Sequence, residues 1–471
     1  MTEIDQLVDQ TKQFMDDCEA LLTPGPYRWA TAQARLGDAI AEGRAPAIRT
    51  MRGLRMAMAR PWRRGQWPGW VTPLAAAAAV TAVIAGTEAV VSVAGAPADS
   101  RGTVTTVGGH CPRPGPGHPL TAYVTDQGSA TVTPIDVATN TALRPIEVGS
   151  APLAVAVTPN CKTAFVADME FAGNGSVVAI RTATNTTLKP VEVGQGSGAI
   201  AVTPDGRTAY VVSEYTDTVT PIRVATDTAL KPVKVGVDPT AIAITPDGRT
   251  AYVTNMGIGS GQGTVTPIDL ATNKALSPIK VGSGPWEVAV TRDGRTAYVV
   301  DHNSGQVTPI NVATNTALPP LRVDPWPGPS AMTPDGSTFY VASSVDGQNA
   351  LVPIRTATNT VLPPVRLGGL GDIGLAVTPD SKTLYVSDAH QGTLTPLRTA
   401  TNTLLPPVKV GFGCYILGVA PDGRTAYAAT SPADSSKPSE VFPVRTATNT
   451  LLPPIKIKAG SDPNAIAFAT R

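Results

Sequence analysis

Ala199-Ile-Ala-Val-Thr-Pro-Asp-Gly-Arg-Thr-Ala-Tyr-Val-Val212 sets two β-branched runs on either side of Pro204-Asp205-Gly206. The stretch continues through Thr218-Val-Thr-Pro-Ile222 to Ala229-Leu-Lys-Pro-Val-Lys-Val235. Proline fixes φ and Gly accepts a positive φ, so the first two runs form a hairpin. Four short strands within some forty residues, separated by turn signals, make one propeller blade. The same phrase recurs along the chain, its aromatic falling at Tyr123, Phe165, Tyr210, Tyr252, Tyr298, Tyr340, Tyr385 and Tyr427. Eight blades follow, each with strands labelled A to D from the channel outward.

Closure can be argued from the ends of the array. The first copy lacks a strand A, because Cys111 to Pro119 is Pro-rich, while the chain ends on an unpartnered strand A, Ala465-Ile-Ala-Phe-Ala469. The two fragments complement each other, so the last strand is expected to complete the first blade. Pro-Pro pairs in the final strands (319–320, 363–364, 406–407, 453–454) suit an outer edge that refuses further pairing. Pro134 and its counterparts fall in an interior strand, where a bulge is expected. B–C connections are longer on even blades, so four loops (169–176, 256–263, 343–349 and 431–440) are expected around the channel mouth, on the face shared with the D–A loops.

Ala251-Tyr252-Val253-Thr254-Asn255 and its repeats resemble the YVTN family of β-propeller repeats. The resemblance covers residues 120–471. It implies a β-propeller in an exported or surface-associated protein and is weak evidence for any chemistry.

The fold expected is therefore all-β, an eight-bladed β-propeller closed by the C-terminal strand, preceded by an α-helical N-terminal segment and one transmembrane helix. Residues 1–69 have helix-compatible spacing and end Arg-rich, from Arg44 to Arg64 without an acidic residue. Residues 70–93 contain an uncharged Ala-rich run long enough for one marginal span. Arginines ahead of it place the N-terminus in the cytoplasm and the propeller outside. A cleaved signal peptide is the competing reading, with Ala94-Gly95-Ala96 as its small-residue site. Residues 94–119 are a Gly/Pro-rich linker.

Chemistry is sparse. Lys+Arg 37 against Asp+Glu 36 leaves a net charge of +1, so no chain-wide basic field exists and no nucleic acid is expected as partner. The histidines number four, and only His302 and His390 lie in the propeller, as Asp301-His302 and Asp388-x-His390. No Gly-x-Ser-x-Gly elbow occurs, no cysteine cluster has zinc spacing, and a Gly-rich loop at 257–263 has no following helix to bind phosphate. No catalytic residue, metal site or cofactor is therefore assigned.

The aspartates belong to an aligned position three after the aromatic: Asp126, Asp168, Ser213, Asn255, Asp301, Ser343, Asp388 and Thr430. All are small and polar, which fits side-chain to backbone bonds that close the B–C loop. Trp286 and Trp326 follow Pro in D–A loops of neighbouring blades and are expected to cluster with His302. Ligand contacts are accordingly expected from Trp286, Trp326, Asp301, His302, Asp388 and His390. Of the four cysteines, Cys111 and Cys161 are placed for a disulfide tying linker to ring.

The function that these features favour is an extracytoplasmic scaffold that binds a protein or cell-envelope ligand on its long-loop face, with the membrane held through residues 70–93. The rival is a propeller hydrolase of the lactonase kind, using the acid–His pairs at the channel mouth.

Overall fold

The computed structural model describes residues 119–470 apart from 170–173, 258–260, 324–325, 346, 370–372, 431–437 and 460–461. The helical segment, the apolar run at 70–93, the linker to residue 118 and Cys111 lie outside the described residues. No helix among those described is long and apolar enough to cross a membrane.

Eight five-stranded antiparallel sheets make up the described chain. In blade 3 the order runs from strand A, Ser197–Val202, through B, Thr208–Ser213, to C, Thr218–Arg223. Strand D is broken into Thr228–Ala229 and Val233–Lys234, both paired to C. Blade 1 takes its strand A from the C-terminus: Pro463–Thr470 pairs antiparallel with Leu120–Asp126, in register Leu120 with Thr470 and Tyr123 with Ala467. The ring thus closes as the incomplete first copy requires. Leu120 and Thr470 lie side by side at the C–D turn end of blade 1.

The core lies between blades rather than within one. Leu120, Ala122, Val124 and Ile135 of blade 1 pack with Tyr427, Ala429 and Val441 of blade 8, and similar clusters fill the next seams. The repeat also places a polar bond across seven of the eight seams. Tyr123 Oη donates to Asn185 Oδ1 of the next blade at 2.8 Å, and Tyr210, Tyr252, Tyr340 and Tyr385 donate likewise to Asn273, Asn315, Asn402 and Asn449. Tyr298 bonds Asn359, and Tyr427 reaches around to Asn140 at 2.8 Å, joining the last blade to the first. Each acceptor sits at the C–D turn with φ near +50°, a conformation that Asn tolerates better than most residues. One seam differs: blade 2 carries Phe165, without a hydroxyl, and blade 3 carries Asp227, whose buried Oδ1 has no hydrogen-bond partner.

The interior proline needs no bulge. Strands B and C pair without a register shift, Tyr123 standing opposite Pro134 and Tyr210 opposite Pro221. Pro134 O accepts from Leu143 N at 2.7 Å, and the pattern recurs at Pro221, Pro267, Pro309, Pro353, Pro396 and Pro443. In an antiparallel strand a residue's N and O point the same way. The missing N–H therefore faces strand D at Leu143, where the first D segment, Thr141–Ala142, has just ended.

The alternation of B–C connections holds in part. Odd blades use four residues each, at 127–130, 214–217, 302–305 and 389–392. On blade 6, however, the expected loop at 343–349 is mostly strand: B extends to Val345 and C starts at Gln348, with Ser344 paired to Asn349. Asp346-Gly347 supplies a hairpin turn sequence, so the extra residues lengthen the ladder instead of forming a loop.

Candidate functional site

The loop-bearing face is built from B–C and D–A connections, and the aligned polar position lies beneath it at the end of every strand B. All eight members are buried. Their bonds depart from the expectation of a common B–C closure. Asp388 does close its loop, accepting from Gln391 N at 2.8 Å. Asp168 instead holds the incoming D–A loop, accepting from Ser150 N at 3.0 Å and Ala151 N at 2.5 Å. Asp126 and Asp301 accept from Thr133 and Thr308 of strand C. Asn255 does the converse, donating from Nδ2 to Thr266 Oγ1 at 3.0 Å. The glycine ending the Val-Gly step fits against this residue: a Cβ on Gly149 would lie 2.0 Å from Asp168 Oδ2.

Burial pushes the carboxyl of Asp301 up to about 7, against the opposing pull of Thr308, Gly282 and Gln306. Asp126 is likewise raised to about 7 by burial, offset by bonds from Thr133 and Thr131. One oxygen of each, Oδ1, has no hydrogen-bond partner. These are buried acids facing strand C, not solvent-facing ligands.

Asp301 and His302 consequently do not form a catalytic pair. Adjacent residues on a strand end point to opposite sides, and while Asp301 turns inward, His302 turns to the surface. His302 Nδ1 lies 2.8 Å from the carbonyl oxygen of Pro327. A carbonyl only accepts, so Nδ1 carries a proton, and in the neutral imidazole Nε2 presents its lone pair. His390 is exposed on its B–C loop, and Asp388 is committed to Gln391.

The expected aromatic cluster is present. His302 stands between two indoles, with ring centroids 6.2 Å from Trp286 and 5.5 Å from Trp326. Trp286 belongs to strand A of blade 5, Pro285–Val290, rather than to the D–A loop assigned to it from sequence, because pairing begins at Pro285 opposite Asp301. Trp326 does occupy the D–A loop; it is 41% exposed and has φ of +60°, an uncommon conformation for a bulky side chain. Below the cluster Glu287 is buried and accepts from both Ser330 N, at 2.9 Å, and Ser330 Oγ, so strands A of blades 5 and 6 are pinned together. Neither the Glu287 link nor the tautomer of His302 is legible without the fold. Among the described residues no group of three or more His, Cys, Asp or Glu is arranged to hold a metal ion.

Cys161 is disulfide-bonded, whereas Cys414 is a free, buried thiol at the start of strand A of blade 8. Burial pushes the Cys414 thiol up to about 12. Cys161 occupies the turn position that is Gly206 and Gly248 in the next blades and shares their positive φ, +58°.

The family model described as Lactonase, 7-bladed beta-propeller, matches residues 147–333, less than half of the chain. Hydrazine synthase from Kuenenia stuttgartiensis is similar over 65% of this chain and 96% of its own, at 23% identity and a TM-score of 0.51. A functionally unknown protein from Desulfotomaculum acetoxidans is similar over 62% and 97%, at 18% identity and a TM-score of 0.50. Dihydro-heme d1 dehydrogenase NirN is similar over 74% of both chains, at 12% identity and a TM-score of 0.60. At such identities the likeness establishes the β-propeller fold alone. No curated protein matches the chain.

Proposed function

We propose that this chain is an extracytoplasmic binding scaffold, held at the membrane through residues 70–93, that recognises a protein or cell-envelope ligand with its B–C and D–A loop face. The observation that carries the reading is Trp326, exposed in the left-handed region and ranged with His302 and Trp286. Strain of this kind costs about 1–3 kcal/mol and persists where surrounding structure enforces it, commonly at ligand sites. The test is co-sedimentation of the full chain with a cell-envelope preparation from the producing organism. Wild type is expected to pellet with it and Trp326→Ala to remain in solution; equal pelleting of both variants would overturn the assignment of this face.

The match of residues 147–333 to a lactonase family model favours a second reading, a hydrolase of the lactonase kind. There the lone pair of His302 Nε2 would take the proton from an attacking water, with no help from Asp301, which bonds Thr308 instead. Lactone hydrolysis by wild type that disappears in His302→Ala or His390→Ala would establish it. Absence of turnover in wild type removes it.

A further inference from the structure

The eight blades carry one register position that differs in sign around the ring. The second residue of the second D segment pairs near the B–C loop end of strand C, with the residue that opens the strand in most blades, as Thr131 with Glu147 and Thr218 with Lys234, and two positions further in on blades 4, 6 and 8. It therefore stands at the rim of the loop-bearing face. In blades 3 to 8 this residue is Lys234, Lys280, Arg322, Arg366, Lys409 and Lys456, every one exposed. In blades 1 and 2 it is Glu147 and Glu192. A chain with a net charge of +1 has thus gathered cations on an unbroken arc of six blades of one rim.

Large apolar tips lie within the same arc. Each D–A loop starts at this rim and runs inward, and three carry a large exposed apolar residue: Val237 three residues after Lys234, Trp326 four after Arg322, and Phe412 three after Lys409. Phe412 is 77% exposed. In blades 1 and 2, behind the two glutamates, the corresponding loops carry Ser150 and Gln195. After blades 4 and 6 the equivalent places are Ser283 and Gly369, so the large apolar tips stand on alternate blades within the cationic arc.

We infer that this arc binds an acidic polysaccharide, whose anionic groups meet the rim cations while its sugar rings lie against Trp326 and Phe412; the inference rests on the loop face being the binding surface. Exposed aromatics offer flat apolar faces suited to the C–H face of a pyranose. Some cations also have partners within the chain, Lys234 with Asp217 at 3.4 Å, Lys409 with the carbonyl of Gln391 at 3.2 Å and Lys456 opposite Glu440 on strand C. Trp326 and Phe412 are two blades apart, which suits a long semi-rigid chain bridging the face better than successive stacked nucleobases, whose platforms must follow one another closely.

The full chain is titrated with polygalacturonate at low and high salt, with dextran, poly-glutamate and oligo-thymidylate as comparisons. Polygalacturonate is expected to bind, weakening as salt screens the rim, while dextran does not. Arg322→Glu combined with Lys409→Glu, and separately Trp326→Ala combined with Phe412→Ala, should each weaken binding at least about tenfold, the loss of some 1.4 kcal/mol. Glu147→Gln with Glu192→Gln should leave it within about twofold, less than 0.5 kcal/mol. Poly-glutamate or oligo-thymidylate binding as tightly as polygalacturonate would overturn the inference, as would no polygalacturonate binding at all. In the latter case envelope co-sedimentation that still depends on Trp326 would leave the binding-scaffold reading standing. Thermal unfolding of each variant near the wild-type midpoint excludes loss of the ring as the cause.

Discussion

Replacing Asp301 by Asn should make the protein more stable at alkaline pH and change little in acid. The carboxyl is fully buried, accepts from Thr308 Oγ1 through Oδ2, and is pushed by burial up to about 7 from the ordinary 3.8. Between these two values the folded state binds a proton that the unfolded chain has released, so stability falls as pH rises. The contribution is whole below about 3.8 and is lost by the time pH passes 7. At 1.36 kcal/mol per tenfold in proton affinity, moving from pH 5 to pH 8 removes up to about 3 kcal/mol from wild type. The asparagine has no charge to bury, and blade 4 already uses it at the same position, where Asn255 donates to Thr266. Urea unfolding of Asp301→Asn and wild type at both pH values measures the effect. The difference between them should grow by roughly 2–3 kcal/mol from pH 5 to pH 8, with unchanged denaturant dependence. A difference independent of pH would refute the reasoning, because the carboxylate would then be ionised in the fold at little cost.

The seam between blades 2 and 3 should gain stability from Phe165→Tyr with Asp227→Asn, which restores the bond that the other seven seams possess. About 1 kcal/mol is expected from the double variant in chemical denaturation, and less from either single change. Trp326→Gly should relieve the left-handed backbone and raise the unfolding midpoint by the equivalent of about 1 kcal/mol, while abolishing envelope binding in the same preparation. Peptide mapping under non-reducing conditions should recover Cys161 joined to Cys111; both residues free, or Cys161 joined to Cys18, would contradict the proposed tie between linker and ring.

The propeller was legible because each blade repeats its turn chemistry: Pro204-Asp205-Gly206 and its copies mark the A–B hairpins, and the unpartnered Ala465–Ala469 announces the closure with Leu120–Asp126. Side-specific features were not. The proline in strand C looked like a fault because sequence does not tell which side of a strand its nitrogen faces, and the structure shows that it faces the broken strand D while the pairing of B with C is kept. Tyrosine and asparagine partners lie some sixty residues apart in different copies, so their bond is invisible within one repeat. Aligning the copies would have exposed it, since Phe165 and Asp227 depart from the pattern together. The aromatic cluster was legible in the two Pro-Trp steps, although Trp286 belongs to strand A and not to its D–A loop, whereas the inward turn of Asp301 depends on strand register and defeated the acid–His pairing. The cationic rim was open to the same alignment, but net charge concealed it.

Hydrogen–deuterium exchange of the full chain, with and without the envelope preparation, tests the account most directly. Slowed exchange is predicted in the segments around 302–305, 326–330 and 411–413, with the Asp-Gly turns at 205–206, 247–248 and 293–294 on the far face unchanged. Protection confined to those turns, or none anywhere on the loop-bearing face, would contradict it.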